Sequence, residues 1–216
     1  MILDSIKIHT ENFENLCLAK YRRSQLLQED FSIISNNCWG GHVYRRYGLP
    51  YLSPTIGLYF FSEEYINLLL DLKTNFNSSL RFINWQESKY RDVISEKNQK
   101  SVPIGLLNEK IEIMFLHYSN KKEAYEKWMR RCERVNYDNL IVKISQMNLC
   151  SFEHLKSFEK LDYEKKVAFV TPQCKNLISC AVPIRKYSNS ECVVDDTTYY
   201  DKHIQLSDFI NKGYVE

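Results

Sequence analysis

The sequence predicts an α/β fold, a three-layer sandwich built around a mostly parallel central sheet. Three observations carry that expectation. Short apolar runs at 31–34, 138–144 and 166–171 have the length and residue types of buried strands. Amphipathic segments of roughly ten to sixteen residues alternate with them, the order that builds parallel sheets. The 216 residues are 44% hydrophobic, enough core for one domain of ordinary size. We expect that domain to span 1–216, with a helical segment at about 1–29 and a C-terminal tail at about 186–216.

Taken in order, residues 13–28 read as a helix in which Leu16, Ala19 and Tyr21 oppose a basic face of Lys20, Arg22 and Arg23. Phe31-Ser32-Ile33-Ile34 reads as a strand. A turn follows at 35–41, where Gly40 and Gly41 can take positive φ, and then a short helix from His42 to Tyr47 closed by Gly48 and Pro50. Pro54 holds Ser53 extended, and Gly57 admits close backbone approach before the apolar run 58–61. Ser62 is the expected N-cap of a helix that continues through Ile66, Leu69 and Leu70 to Thr74. Residues 80–83 read as a strand, and 85–98 as polar and aperiodic. A strand, turn and strand occupy 102–118. The clearest helix is 120–135, with Ala124, Trp128, Met129, Cys132 and Val135 on one face and Lys127, Arg130, Arg131 and Arg134 on or near another. After the strand 138–144, Ser151 caps a helix to Leu161. Residues 166–171 and 181–185 read as strands, and a short helix starts at Ser207.

Composition narrows the function. The 29 Lys and Arg against 27 Asp and Glu give +2, which offers no whole-protein field for nucleic acid. No apolar stretch reaches transmembrane length, and the first residues lack a signal-peptide core. Seven cysteines without CxxC spacing read as reduced thiols, so a cytoplasmic location is expected. No spacing of His, Cys and Asp suggests a metal site.

Cys38 is the leading nucleophile. It stands at the expected carboxyl end of a strand, among turn N–H groups and beside a helix start, where a thiol pKa falls and an oxyanion can be held. The alternative is a small buried cysteine before a glycine turn. His42, four residues on, and His117, at the end of an apolar run, are the candidate bases; His117 reads equally as a histidine held by a neighbouring carbonyl. His9, His154 and His203 lie among polar residues and read as solvated. Asn36, Asn37, Gly40, Gly41, Ser53 and Thr55 are candidate ligand contacts. Trp39, Tyr44, Tyr47, Tyr51 and Tyr59 suit sugar stacking or core packing. Lys127, Arg130, Arg131 and Arg134 form either a phosphate-binding cluster or a solvated face.

The blocks Phe31-Ser-Ile-Ile-Ser-Asn-Asn-Cys-Trp-Gly-Gly41 and Gly48-Leu-Pro-Tyr-Leu-Ser-Pro-Thr-Ile-Gly-Leu-Tyr-Phe60 resemble a bacterial family of unknown function that goes under the name of exopolysaccharide biosynthesis proteins. A second block, His117-Tyr118, Glu123-Ala124, Lys127-Trp128, Arg130-Arg131, Arg134-Val-Asn136 and Asp138-Asn-Leu-Ile-Val-Lys143, agrees, so the resemblance covers roughly residues 30 to 171. One departure is the loop Ser145-Gln146-Met147-Asn148, which is less charged than the resemblance leads one to expect. The resemblance implies a three-layer α/β fold and a place in exopolysaccharide or capsule assembly. Combined with Cys38, it suggests an acyltransferase acting on a sugar or polysaccharide precursor, nucleotide- or lipid-linked, with coenzyme A or acyl-CoA as donor. A glycosyl- or phosphosugar transferase without a covalent step, or a sugar- or nucleotide-binding module, are the alternatives. Against glycosyl transfer stands the lack of a DxD motif; Asp195-Asp196 is the adjacent acidic pair.

Overall fold

The computed structural model describes residues 18–198 and 200–213. The expected helix at 13–28 is helical over 18–23 and gives way to a turn at Ser24; its start at 13–17 lies outside the described residues, as does His9. Four strands, β1 (Ser32–Ser35), β5 (Leu140–Ser145), β6 (Lys165–Val170) and β7 (Ala181–Pro183), form a fully parallel sheet in that order. The register sets Ser35 beside Lys143 and Lys143 beside Val167. Between β1 and β5 the chain forms a small antiparallel sheet of β2 (Leu80–Ile83), β3 (Ile104–Leu107) and β4 (Ile111–Met114). Asn108 and Glu109, both at positive φ, begin the three-residue connection 108–110 between β3 and β4, which Lys110 N–H closes by donating to the Leu107 carbonyl (3.1 Å).

Each parallel strand is apolar on both faces, which is why its side chains divide between two cores. Ile34, Val142, Ile144, Ala168 and Val170 pack toward α2 (Ser62–Leu70), α3 (Leu72–Phe76), α5 (Lys121–Cys132) and α6 (Phe152–Lys160). Ile33, Ile141, Val167, Phe169 and Val182 face α1 (Trp39–Tyr47) and α7 (Leu206–Lys212). That is the three-layer arrangement. Residues 186–213 are no loose tail, for Tyr187, Val193, Ile204, Leu206, Phe209 and Ile210 all enter the second core.

Four local expectations are corrected. Gly40 and Gly41 lie inside α1 rather than in a positive-φ turn. Their missing Cβ serves packing instead: a methyl on Gly40 would come within 3.0 Å of Ile33 Cγ2. Ser62 is the first residue of α2, not its cap, and its hydroxyl donates to the Met147 carbonyl (3.0 Å). The helix expected over 62–74 breaks at Asp71, whose carboxylate accepts from Thr74 N (3.3 Å) and starts α3. Within the aperiodic stretch 85–98 the structure has α4 (Arg91–Glu96), anchored by the buried Ile94, one apolar contact being too little to create a period.

β1 is an edge strand, and its outward polar groups are covered. Ile33 N–H donates to Tyr44 Oη (3.0 Å), which donates to the Phe31 carbonyl (3.0 Å), while Ser35 N–H donates to Thr55 Oγ1 (3.1 Å). Hydroxyls thus take the place of a neighbouring strand.

Candidate functional site

The carboxyl end of β1 runs directly into α1, with Cys38 at the junction in a helical conformation. Asn36 does the work of one more sheet residue. Its side chain donates to the Ser145 carbonyl and accepts from Ser145 N–H, both at 3.0 Å, so β1 and β5 stay paired where their backbones diverge. Asn37 turns the chain: its Oδ1 accepts from Trp39 N–H (3.1 Å) at the helix start.

Beneath this junction lies a charge pair that sequence reasoning missed. Lys143 and Asp196 are 0% exposed in their side chains and form an ion pair. Lys143 Nζ also donates to Asn37 Oδ1 (2.9 Å), Asn37 Nδ2 donates to Asp196 Oδ1 (2.7 Å), and the Ser145 hydroxyl donates to Asp196 Oδ2. Burial pushes the Lys143 pKa down and Asp196 opposes that shift. The signal was present: a lysine in the middle of Ile-Val-Lys-Ile-Ser, on a strand buried on both faces, must have an anionic partner. Asp196 is that partner, from the tail.

Cys38 sits over the pair, partly exposed, with its Sγ 3.8 Å from the Leu58 carbonyl. Burial pushes its thiol pKa up, and Lys143 pulls it back less strongly. This corrects the expected lowered pKa: desolvation of the thiolate outweighs the nearby ammonium, and Asp196 adds to the rise. His42, one turn along α1, is half-buried and rests against Tyr200, ring centroids 5.4 Å apart. Burial and Arg45 hold its pKa below the ordinary imidazole value.

His117 is placed differently from the expectation. It is exposed, three residues beyond β4 of the antiparallel sheet, and its backbone N–H donates to the Gly57 carbonyl (2.9 Å). No hydrogen bond joins Cys38 to His42 or His117 among the described residues. Gly57, at φ +75°, lets the Tyr118 ring approach. His203, expected to be solvated, is half-buried with its ring 5.6 Å from Phe169, and burial lowers its pKa too. His154 bonds Glu63 (3.0 Å) and the Ser151 hydroxyl (2.9 Å).

Several other candidates turn out to be occupied. Ser53 and Thr55 are fully buried braces of β1, and Trp39 is sealed beside Phe169 with its Nε1–H donated to the Tyr200 carbonyl (3.2 Å). Gly41 N–H donates to the Cys38 carbonyl (3.1 Å), so it is engaged in the helix rather than open to an oxyanion. The helix expected over 120–135 ends at Cys132, and the cations on and just after α5 do not converge. Lys127 pairs with Glu123 (2.5 Å), and Arg130 and Arg134 are exposed. Arg131 points inward to Tyr118 Oη (2.6 Å) and the Ile56 carbonyl (3.2 Å) and stacks over Tyr51 (5.2 Å). Those partners lock it to the loop between α1 and α2 and to the turn after β4.

His42 and His203 predict a pH response. Both folded pKa values lie below the free-histidine value of about 6.5, so protonation favours the unfolded chain. Their contribution to stability is complete above that value and is lost as pH falls below it toward the folded values. The thermal midpoint of the wild type should therefore drop between pH 7 and 5 more than that of His42→Gln/His203→Gln; equal slopes would refute the assignment.

The fold and site together define an α/β protein with a thiol at the carboxyl rim of a parallel sheet, above a buried lysine–aspartate pair. A family described as a domain of unknown function (DUF1919) matches residues 9–214, and the chain belongs to that family. An uncharacterized protein of Haemophilus influenzae is 27% identical to it over 164 residues, covering 76% of this chain and 73% of that protein. No helix among the described residues is long and apolar enough to cross a membrane.

Proposed function

We propose that the chain is a transferase of surface-polysaccharide assembly that passes an acyl group to a sugar through Cys38. The observation that carries this reading is the partly exposed thiol at the sheet rim, over the Lys143–Asp196 pair and one turn from His42. With its pKa raised, the thiol needs a base, and a histidine whose pKa lies below the ordinary value is unprotonated at neutral pH and able to serve. Sγ attacks the carbonyl carbon of an acyl-CoA while His42 takes the thiol proton. The carbon–sulfur bond to coenzyme A breaks, and that proton passes to the leaving sulfur. A sugar hydroxyl then attacks the enzyme thioester, giving its proton through His42 to the released Cys38 sulfur. The pathway rests on the resemblance of the 31–41, 48–60 and 117–143 blocks to exopolysaccharide biosynthesis proteins, and a cytoplasmic setting on the free cysteines.

The test is incubation with acyl-labelled acetyl-CoA followed by denaturation. A hydroxylamine-labile label on the wild type that disappears in Cys38→Ser, with the thermal midpoint kept, is the expected result. Sugar transfer that persists in Cys38→Ser would overturn the covalent step and favour direct glycosyl or phosphosugar transfer. Alkylation of Cys38 should be slow at neutral pH and accelerate as pH rises; a fast reaction at pH 7 would contradict the raised thiol pKa.

A further inference from the structure

A cleft of about 890 Å³ runs along the outer edge of β7. Lys166, Lys175, Arg185, Lys186, Lys202 and His203 line it, and Glu164 is the carboxylate in its wall. Lys166 gives its ammonium to the carbonyls of Glu159 and Leu161 at the end of α6 (2.7 and 2.6 Å). Lys175, Arg185 and Lys186 are exposed, and among the described residues no carboxylate forms an ion pair with them. Three exposed cations facing one cavity repel each other, a cost that a bound anion would remove.

The backbone of this edge is closed to another strand. Pro183 has no N–H, and Ala181 N–H donates to the Ile178 carbonyl (3.4 Å). Side-chain charge, not strand pairing, therefore decides what the cleft accepts. Its volume is in the range that encloses a small molecule rather than a single ion. His203 also lines the cleft, its ring 5.6 Å from that of Phe169 on β6.

We infer that this cleft binds the diphosphate of a nucleoside-diphosphate-containing ligand, with Lys175 and Lys186 as point charges and Arg185 as a forked donor. The ligand is the donor of the transfer proposed above, and only that identification rests on the earlier reading. A diphosphate has two sources of the same chemistry, coenzyme A and a sugar nucleotide.

Titration calorimetry of the whole chain with inorganic pyrophosphate, coenzyme A, UDP-glucose and adenosine tests the site. Pyrophosphate and at least one of the two diphosphate ligands should bind, more weakly as salt is raised, while adenosine should not. Arg185→Glu/Lys186→Glu should weaken binding by about tenfold or more without moving the thermal midpoint; should that pair fold poorly, Arg185→Ala/Lys186→Ala carries the same test with a smaller loss. Coenzyme A binding above UDP-glucose supports an acyl donor, and the reverse order a glycosyl donor. Absence of binding by all three anions, or binding untouched in both variants, overturns the inference. Cys38→Ser should leave these titrations unchanged, so an inert thiol beside intact diphosphate binding would sink the covalent mechanism alone.

Discussion

Asp196→Ala is expected to cost about 3–5 kcal/mol of folding stability, the penalty for leaving a buried charge without its partner. Lys143 is fully buried and has two oxygen partners, Asp196 and Asn37; the alanine variant removes the charged one, strands the Ser145 hydroxyl and leaves Asn37 Nδ2 with only the Met147 sulfur. In a chain of this length that corresponds to a fall in thermal midpoint on the order of 10 °C. Replacing both charges, as Lys143→Met/Asp196→Leu, should recover much of the loss, because a well-packed apolar pair escapes the desolvation that the ion pair must offset. Urea unfolding at neutral pH reads both effects. If the double variant is no more stable than Asp196→Ala, the pair does not behave as one electrostatic unit. If the double variant is stable but the acyl label on Cys38 is lost, the pair is there for the thiol rather than for the fold.

Glu64→Ala should be the other large loss, about 2–3 kcal/mol. Glu64 lies in the first turn of α2 and is 0% exposed, yet it carries a carboxylate. Oε1 accepts from Lys89 Nζ (2.7 Å) and Tyr90 Oη (2.8 Å), and Oε2 accepts from Glu112 N–H at 2.8 Å. Those three donors belong to the loop after β2 and to β4, so one side chain fastens the helix layer to the antiparallel sheet. Alanine leaves the buried Glu112 N–H with no acceptor, whereas Glu64→Gln keeps an acceptor oxygen and should lose less than half as much. The half-exposed Lys89 adds little by itself, since solvent screens its attraction. Circular-dichroism melts of the two variants decide the matter; equal losses would mean that the charge rather than the acceptor geometry holds the joint.

How much of this was readable beforehand differs by element. The strands at β1, β5 and β6 announced themselves because a parallel strand buried on both faces must be a continuous apolar run. The N-cap Ser151 was equally legible, since it is a local signal: it accepts from His154 N–H. The glycine pair misled for a physical reason. Glycine signals either a special φ or a close approach, and only the position of Ile33 on the neighbouring strand shows that Gly40 is there for the second. The arginines near α5 stayed open between a phosphate cluster and a solvated face, because spacing along a helix says which residues share a face and nothing of what that face meets. Arg131 meets Tyr118 and the Ile56 carbonyl, so its charge is engaged within the fold.

By itself, the sequence determined the class of fold, most of its strands and helices, and the placing of Cys38 where a strand hands over to a helix. Those depend on periodicity and on neighbours a few residues apart. Only the tertiary structure decided what surrounds that sulfur. Lys143 and Asp196 are 53 positions apart in the chain, and no local pattern can pair them. Whether a thiol gives up its proton depends on the sum of burial and charge at one point in space, and that sum exists only after the tail has closed over the sheet.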